Sequence, residues 1–322
     1  MRLQQLVLSL LTIVMSWMCI FSTHAQEWPN NSIRLLIPFA PGGGVDGAGR
    51  ILARALEEDL KVSVIVENRA GANGTIAMNV LRQSKPDGYT LSMVSTGALD
   101  VDVWLMTLPY DPAKDFTYLA PMVKFPFYLS VIPSSGIKTV GDLIARAKAN
   151  PGTVSYSTPG VGNGIHLASA LLSQMTGTTM THVPYKGAGP AAVALLGGEV
   201  TFTFGSGPSI LGQVDAGKVI VLGVSSIDRV PNRQNFPTLN ELGFKGYESN
   251  SLGGVVGPAG LPPAVSAKIS QTIQRIVNSK DMQDKILAAG MVPLPGTGKD
   301  FEVMITKDRI RYGALIKEMD IK

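Results

Sequence analysis

Cysteine is nearly absent. The 322 residues contain one, Cys19, so no disulfide can form within the chain. Histidine is almost as scarce: with three in all, a structural zinc site would need carboxylates to complete it, a poor donor set for that metal. Charged residues make up only 16% of the chain against 45% apolar ones, which excludes a disordered polymer. The net charge of +4, from 28 basic and 24 acidic residues, is small and scattered and gives no footprint for nucleic acid. The 35 glycines follow no three-residue period, which excludes collagen. Catalytic signatures are missing as well, with no G-x-S-x-G nucleophile elbow and no H-E-x-x-H. Past the first 25 residues no stretch is both long and apolar enough to cross a bilayer. What remains is ample material for packed cores, and at ~100–200 residues per domain the length implies two.

The N-terminus reads as an export signal. Arg2 precedes an almost unbroken apolar run from Leu6 to Phe21, and Thr23-His24-Ala25 puts small residues at the −3 and −1 positions of a cleavage site before Gln26. An uncleaved anchor is the alternative. Met18 and Ile20 around Cys19 do not fit a lipoprotein site, and no twin-arginine pair is present, so export of an unfolded chain without a preloaded cofactor is expected. Removing residues 1–25 takes away Arg2 and the cysteine, leaving 27 basic against 24 acidic residues, net +3. A cysteine-free chain suits an oxidising compartment, and the periplasm is the expected location.

Beyond the signal, strands and helices alternate. Ile33–Ile37 is a short buried-strand pattern, and Ala48, Ile51, Leu52, Ala55 and Leu56 then mark one helix face. Val62–Val66 and Tyr89–Val94 are the next strands. The logic restarts with a strand at Phe127–Ile132, a helix at Val140–Ala149, a strand at Val154–Ser157 and a helix faced by Leu167, Ala168, Leu171, Leu172 and Met175. Helices at Ala264–Ile276 and Phe301–Ile316 close the chain. This alternation predicts an α/β fold with parallel sheets.

Two glycine turns open helices in corresponding places, Pro41-Gly42-Gly43-Gly44 and Gly160-Val161-Gly162-Asn163-Gly164. Such a turn exposes backbone N–H groups at the positive end of a helix dipole, a ready anion site for phosphate or carboxylate. Two of them, one in each half, point to a ligand held between the halves at strand C-termini. A rival reading uses the same residues: Gly42 to Gly47 spells G-x-G-x-x-G, and Glu67 stands 20 residues further on, where a dinucleotide-binding acid belongs. Export to a compartment poor in nicotinamide cofactors, and Pro41 before the first glycine, speak against it. Gly212 to Lys218 approaches a phosphate-binding loop, but Val219 stands where Ser or Thr must hold magnesium, and a helix end before the strand Val219–Val224 explains it better. Glu57-Glu58-Asp59 reads as a solvated helix end.

Several spaced motifs then carry a family resemblance. They are Ile37 to Gly44 (IPFAPGGG) with Asp46 and Arg50, Val66 to Ala72 (VENRAGA), Pro86 to Thr90 (PDGYT), Leu108 to Pro112 (LPYDP) through Asp115-Phe116, Ala149 to Gly152 (ANPG), Gly162 to His166, and His182 to Gly187 (HVPYKG). In that order, over essentially the whole mature length, the chain resembles the periplasmic solute receptors of tripartite tricarboxylate transporters, the Bordetella uptake gene family. The resemblance implies a two-lobed class II periplasmic-binding-protein fold, each lobe a mostly parallel sheet flanked by helices, with two hinge crossings. Lobe one is expected at residues 26–125 plus 250–322 and lobe two at 126–249. It further implies that a ligand carboxylate meets the first loop at Phe39, Ala40, Gly43 and Gly44. Facing contacts would come from Ser157, Thr158, Gly162, Asn163, Gly164 and His166, with Ser95, Thr96 and Gly97 on the cleft floor. Asp46 would either accept from a ligand hydroxyl or amine or cap its helix; His166 would donate to the anion or cap the loop; Tyr185 would wall the cleft or belong to the core. Two positions depart from the family pattern: Val45 stands where Thr is common and Leu252 where Trp is common, so the ligand choice is this chain's own.

The implied function is a non-enzymatic, monomeric receptor for a small organic acid, with no cofactor or metal, delivering its ligand to membrane permease subunits. A secreted enzyme for a carboxylated substrate and a sensor partner of a membrane kinase are the alternatives.

Overall fold

The computed structural model describes residues 28–318; the export-signal reading at 1–25, with Cys19, lies outside them. Ile33–Ile37 forms strand β1, its side chains almost all buried, flanked in parallel by β2 (Val64–Asn68) and β3 (Thr90–Val94). Helix α1 (Gly44–Leu60) covers this sheet with Ala48, Leu52, Ala53 and Leu56 and ends where Lys61 turns left-handed. Two short helices follow, α2 (Thr75–Arg82) and α3 (Asp102–Leu105).

The next strand, β4 (Phe116–Val131), is 16 residues long and belongs to both halves of the molecule. Its first part lies antiparallel to β9 (Asn250–Pro258), from Phe116↔Pro258 to Pro126↔Asn250. Its second part changes partners, pairing antiparallel with β7 (Phe202–Ser206) from Phe127↔Ser206 and with β8 (Ile220–Val224). Pro126 sits at the change-over. It has no N–H to give to a ladder, which suits a position where one ladder stops and another begins. The Phe127 amide donates to Ser225 Oγ at 2.8 Å instead of to a strand.

Past that point the second half repeats the first. Helix α4 (Val140–Ala149) starts with a full capping box between Thr139 and Asp142. Strand β5 (Ser155–Thr158) pairs in parallel with β6 (Thr181–Pro184) and β7, and helices α5 (Gly164–Thr176), α6 (Ala188–Leu196) and α7 (Gly207–Asp215) each follow a strand. The chain then returns through β9 and closes with α8 (Pro263–Asn278), α9 (Lys280–Ala288), β10 (Val292–Pro293) and α10 (Gly298–Glu318).

The strand order β2-β1-β3-β9-β4-β7-β5-β6 puts a parallel group at each end and antiparallel β9 and β4 between them. The fold is a two-lobed α/β architecture. One core gathers Leu36, Met78, Leu81, Val256, Phe301 and Ile305; another gathers Tyr128, Leu195, Ile210, Leu211 and Val224. The expectation of parallel sheets holds at both ends and fails at the centre, because the two crossing strands run against their neighbours. The near match to a phosphate-binding loop is the end of α7, where Gly217 turns at φ 71°.

Candidate functional site

Strands β1, β5, β6 and β7 each feed directly into a helix, and the four helix starts meet. Gly43 and Gly44 at the start of α1, Asn163 before α5, Ala188 at the start of α6 and Ser206 before α7 all line one cavity, whose empty space with its open side included is about 380 Å³. The first amides of a helix have no acceptor inside it, and each helix start carries roughly half a positive charge. None of the cavity's lining residues is Lys, Arg, His, Asp or Glu. Any attraction for an anion there must therefore come from backbone dipoles, not from a charged lining side chain. Apart from Ser95, Asn163, Ser206 and Ser251 the walls are apolar. Phe125 and Phe127, two apart on one face of β4, form one side, with Phe39, Val45, Pro159 and Ile165 completing it.

Close approach explains the glycines at two of these starts. A methyl group on Gly44 would lie 3.0 Å from Ser206 Cβ and 3.1 Å from a Phe125 ring carbon; one on Gly164 would lie 3.0 Å from Phe127 Cζ. The loops also touch through backbone, the Ala40 amide donating to the Lys186 carbonyl at 3.3 Å.

Asp46 is buried and fully engaged. It accepts from the Gly42 amide at 3.0 Å, from Arg50 Nε at 3.0 and 3.1 Å and from Asn68 Nδ2 at 2.9 Å, while Asn68 also donates to the Phe39 carbonyl. Burial works to raise its pKa, but these donors, Arg50 foremost, outweigh it and hold the carboxyl below its ordinary value. The expected capping role is not seen, since the cap residue is Gly43 with no side-chain bond to the first amides. Asp46 instead stiffens the first loop through Gly42, Arg50 and Asn68 and does not line the cavity.

The second loop is held by its own side chains. Asn163 Oδ1 accepts from the Ile165 amide at 3.0 Å, His166 Nδ1 from the Gly162 amide at 3.1 Å, and Thr158 Oγ1 from the Gly160 amide at 3.2 Å. Accepting at Nδ1 leaves the His166 proton on Nε2. Its ring stacks on His182 with centroids 4.0 Å apart, and His182 lies 2.6 Å from Thr158 Oγ1. Burial, helped by His182, pushes His166 down to about 3, and burial pushes His182 down to about 4. Both rings are neutral near pH 7, so His166 acts as a loop strut and offers no cation to an anion.

The other expected contacts divide cleanly. Ser95 lines the cavity, whereas Thr96 is buried behind it with its amide donating to Ser251 Oγ at 2.9 Å. Gly97 packs on the Asn73 amide, with its own N–H on Asp100 Oδ1. Ser157 is fully buried and donates to the Ala191 carbonyl at 2.8 Å. Tyr185 is half-buried, donates to Glu199 at 2.9 Å and lines a neighbouring cavity. Leu252 pairs with Lys124 and lies off the cavity, while Ser251 beside it lines it. Sequence reasoning missed Phe125, Phe127, Ala188, Ser206 and Ser251. A signal existed for two of them: Ala188-Gly189-Pro190 and Ser206-Gly207-Pro208 each follow a strand and open a helix with a proline near its start. The dinucleotide fingerprint finds no support, since Glu67 is tied to Arg34 at 2.7 Å and to Arg69.

Comparison with known proteins agrees with this geometry. The family described as tripartite tricarboxylate transporter family receptor matches residues 48–321. The chain belongs to that family. Among curated relatives, Protein BugT of Bordetella pertussis is 32% identical over 300 residues, covering 92% of each chain. Among solved structures, R. palustris Rpa4515 with adipate superposes with a TM-score of 0.90 at 31% identity, covering 92% of this chain and 99% of its own. The periplasmic binding protein BugD superposes at 0.87 with 26% identity, covering 92% and 99%. The family is one of transporter receptors, and the relatives solved are periplasmic binding proteins, not enzymes. Among the described residues no helix is long and apolar enough to cross a membrane.

Proposed function

We propose that the chain is a periplasmic receptor that takes a small organic acid by its carboxylate into the cleft and hands it to the membrane permease of a tripartite tricarboxylate-type transporter. One observation carries the reading: four helix starts converge on a cavity that has no charged side chain and mostly apolar walls. Backbone dipoles favour a negative group there. The apolar walls favour a carbon body behind it over bare phosphate. The ligand meets Phe39, Gly43, Gly44, Ser95 and Asn163, while Ala40, Asp46, Ser157, Thr158, Gly162, Gly164 and His166 shape the loops that bear them. A related protein solved with adipate supports the same ligand chemistry.

Lobe one spans 26–125 and 250–322 and lobe two 126–249; the change of strand partners at Pro126–Phe127 and the start of β9 at Asn250 support these limits. The mature protein acts as a monomer in the periplasm after loss of residues 1–25. Ligand held on one lobe gains contacts from the other, and that difference in affinity favours the closed form the permease recognises. Held by amides alone, the anion remains releasable.

A thermal-shift screen of carboxylic acids beside their uncharged amides tests the reading. At about one hundred times its Kd a true ligand raises the melting temperature by roughly 4–5 °C, and its amide does not. Equal shifts from acid and amide, or none from any acid, would contradict it. Deleting the gene separates transport from sensing, with loss of acid uptake and intact signalling expected.

A further inference from the structure

The last helix does not stay in one half of the molecule. Its first turns belong to the core of the first half, where Phe301 and Ile305 are fully buried with Leu36, Met78 and Val256. Two turns later α10 joins a separate apolar cluster, in which Tyr312 and Ile316 pack with Leu167 of α5, in the second half, and with Val101 and Leu105 at α3. Leu167 is 0% exposed and Tyr312 2%, so this seam is buried as deeply as a domain core. A polar contact extends it, Gln174 Nε2 donating to Glu318 Oε1 at 2.8 Å. Leu167 and Gln174 are two turns apart, so the seam runs about 10 Å along α5. The Tyr312 hydroxyl accepts from Arg311 at 2.8 Å and donates to the Asn250 carbonyl at 3.1 Å. Asn250 opens β9 and pairs with Pro126, where β4 changes partners. The helix is thus pinned at the crossing strands and again beyond them. Trp104 locks its near side: the indole N–H donates to the Arg309 carbonyl at 2.9 Å, and Gly313 makes room for the ring, since a methyl there would lie 2.5 Å from it.

We infer that α10 is a third tie between the lobes, beside β4 and β9, and that it restrains how far the cleft opens in the ligand-free chain. Two strands meeting at Pro126 and Asn250 make a narrow hinge on their own. A buried seam that joins both lobes must either rupture or hold α5 back when they part, and its apolar burial opposes rupture. Helix α5 begins at the second glycine turn, so what holds α5 also holds that wall of the cavity towards the first turn. A receptor kept partly closed needs less binding energy to finish closing, and its apparent affinity rises with the closed fraction. The inference concerns the ligand-free chain, and its fate is separate from that of the carboxylate reading.

Spin-label distance measurement on the ligand-free chain tests the inference. The chain from Gln26 has no cysteine, so Lys85→Cys and Lys148→Cys place one label on each lobe, at exposed positions outside the cavity lining. In that background Ile316→Ala with Tyr312→Phe, which thins the seam and removes the bond to Asn250, raises the ratio of long to short interlobe distances about fivefold. Tyr312→Phe alone keeps the packing and shifts the distances the same way by less. Ile305→Val is the comparison: it lies in the first half's core only, so it lowers the melting temperature and leaves the distances where they were. A helix that merely stabilised the fold would lower the melting temperature in all three variants and move the distances in none. That result, or an equal shift of distance in Ile305→Val, would overturn the inference.

Discussion

The two glycine turns look alike in sequence and are unlike in use. In the second, side chains consume the amides: Asn163, His166 and Thr158 accept from Ile165, Gly162 and Gly160. In the first, the cap residue Gly43 has no side chain to offer, and Asp46 takes only the outlying Gly42 amide. The first helix start thus has no side-chain acceptor, while side chains engage three amides of the second turn and helix start, those of Gly160, Gly162 and Ile165, before any ligand arrives. Similar composition therefore divides into an open anchor and a pre-set wall. What decides is which neighbouring side chains can accept a hydrogen bond, not how many glycines a turn contains.

Four changes would break or sharpen that contrast. The largest effect belongs to Gly44→Val. Its branches would collide with Ser206 and Phe125 where the anchor must stay clear, so acid binding should fall by at least about a hundredfold on calorimetry. Next comes Asp46→Ala, which releases Gly42, Arg50 and Asn68 together. A loss of about 2–3 kcal/mol in stability is expected, since several bonds to a buried charge disappear, and acid affinity should fall about tenfold as the anchor loosens. Asn163→Ala should behave differently. Removing that cap costs about 1 kcal/mol, roughly 1–2 °C in melting temperature, yet affinity should stay within about threefold because the open anchor is elsewhere. Equal losses of affinity in the last two variants would erase the distinction between the turns.

The smallest effect is on pH dependence. His166 and His182 have folded pKa values far below the ordinary 6.5, so the unfolded chain binds protons that the folded one refuses. Their contribution to stability is full above about pH 6.5 and is lost as pH falls towards 4 and 3. His166→Asn can keep an acceptor for the Gly162 amide without a titrating ring. Its melting temperature should decline less between pH 7 and 4 than the parent's, and an unchanged slope would show that His166 is not held neutral.

Much of this was readable from sequence, for identifiable reasons. Ile33–Ile37 is a buried strand with no competing pattern, and Val140–Ala149 matches residue for residue because its capping box and polar flanks fix both ends. The helix after the first turn was expected from Ala48 but begins at Gly44, since glycines carry no periodic signal. The full length of β4 was illegible: Pro121 and Pro126 interrupt the pattern, and only pairing first with β9 and then with β7 makes one strand of it. For the same reason Phe125 and Phe127 read as anonymous core. Nothing local tells a phenylalanine on a cavity wall from one packed inside, because the cavity exists only once the two halves face each other. Asp46 and His166 were legible as residues of interest and ambiguous in role until their partners were known.

A crystal structure of the complex with the best acid from the thermal screen tests the central claim most directly. A carboxylate oxygen lying about 2.7–3.2 Å from the Gly43 or Gly44 amide nitrogen, with no Lys or Arg nearer to that oxygen, is the predicted result. An acid whose carboxylate pairs with a basic side chain outside the cavity, leaving the four helix starts to solvent, would contradict it.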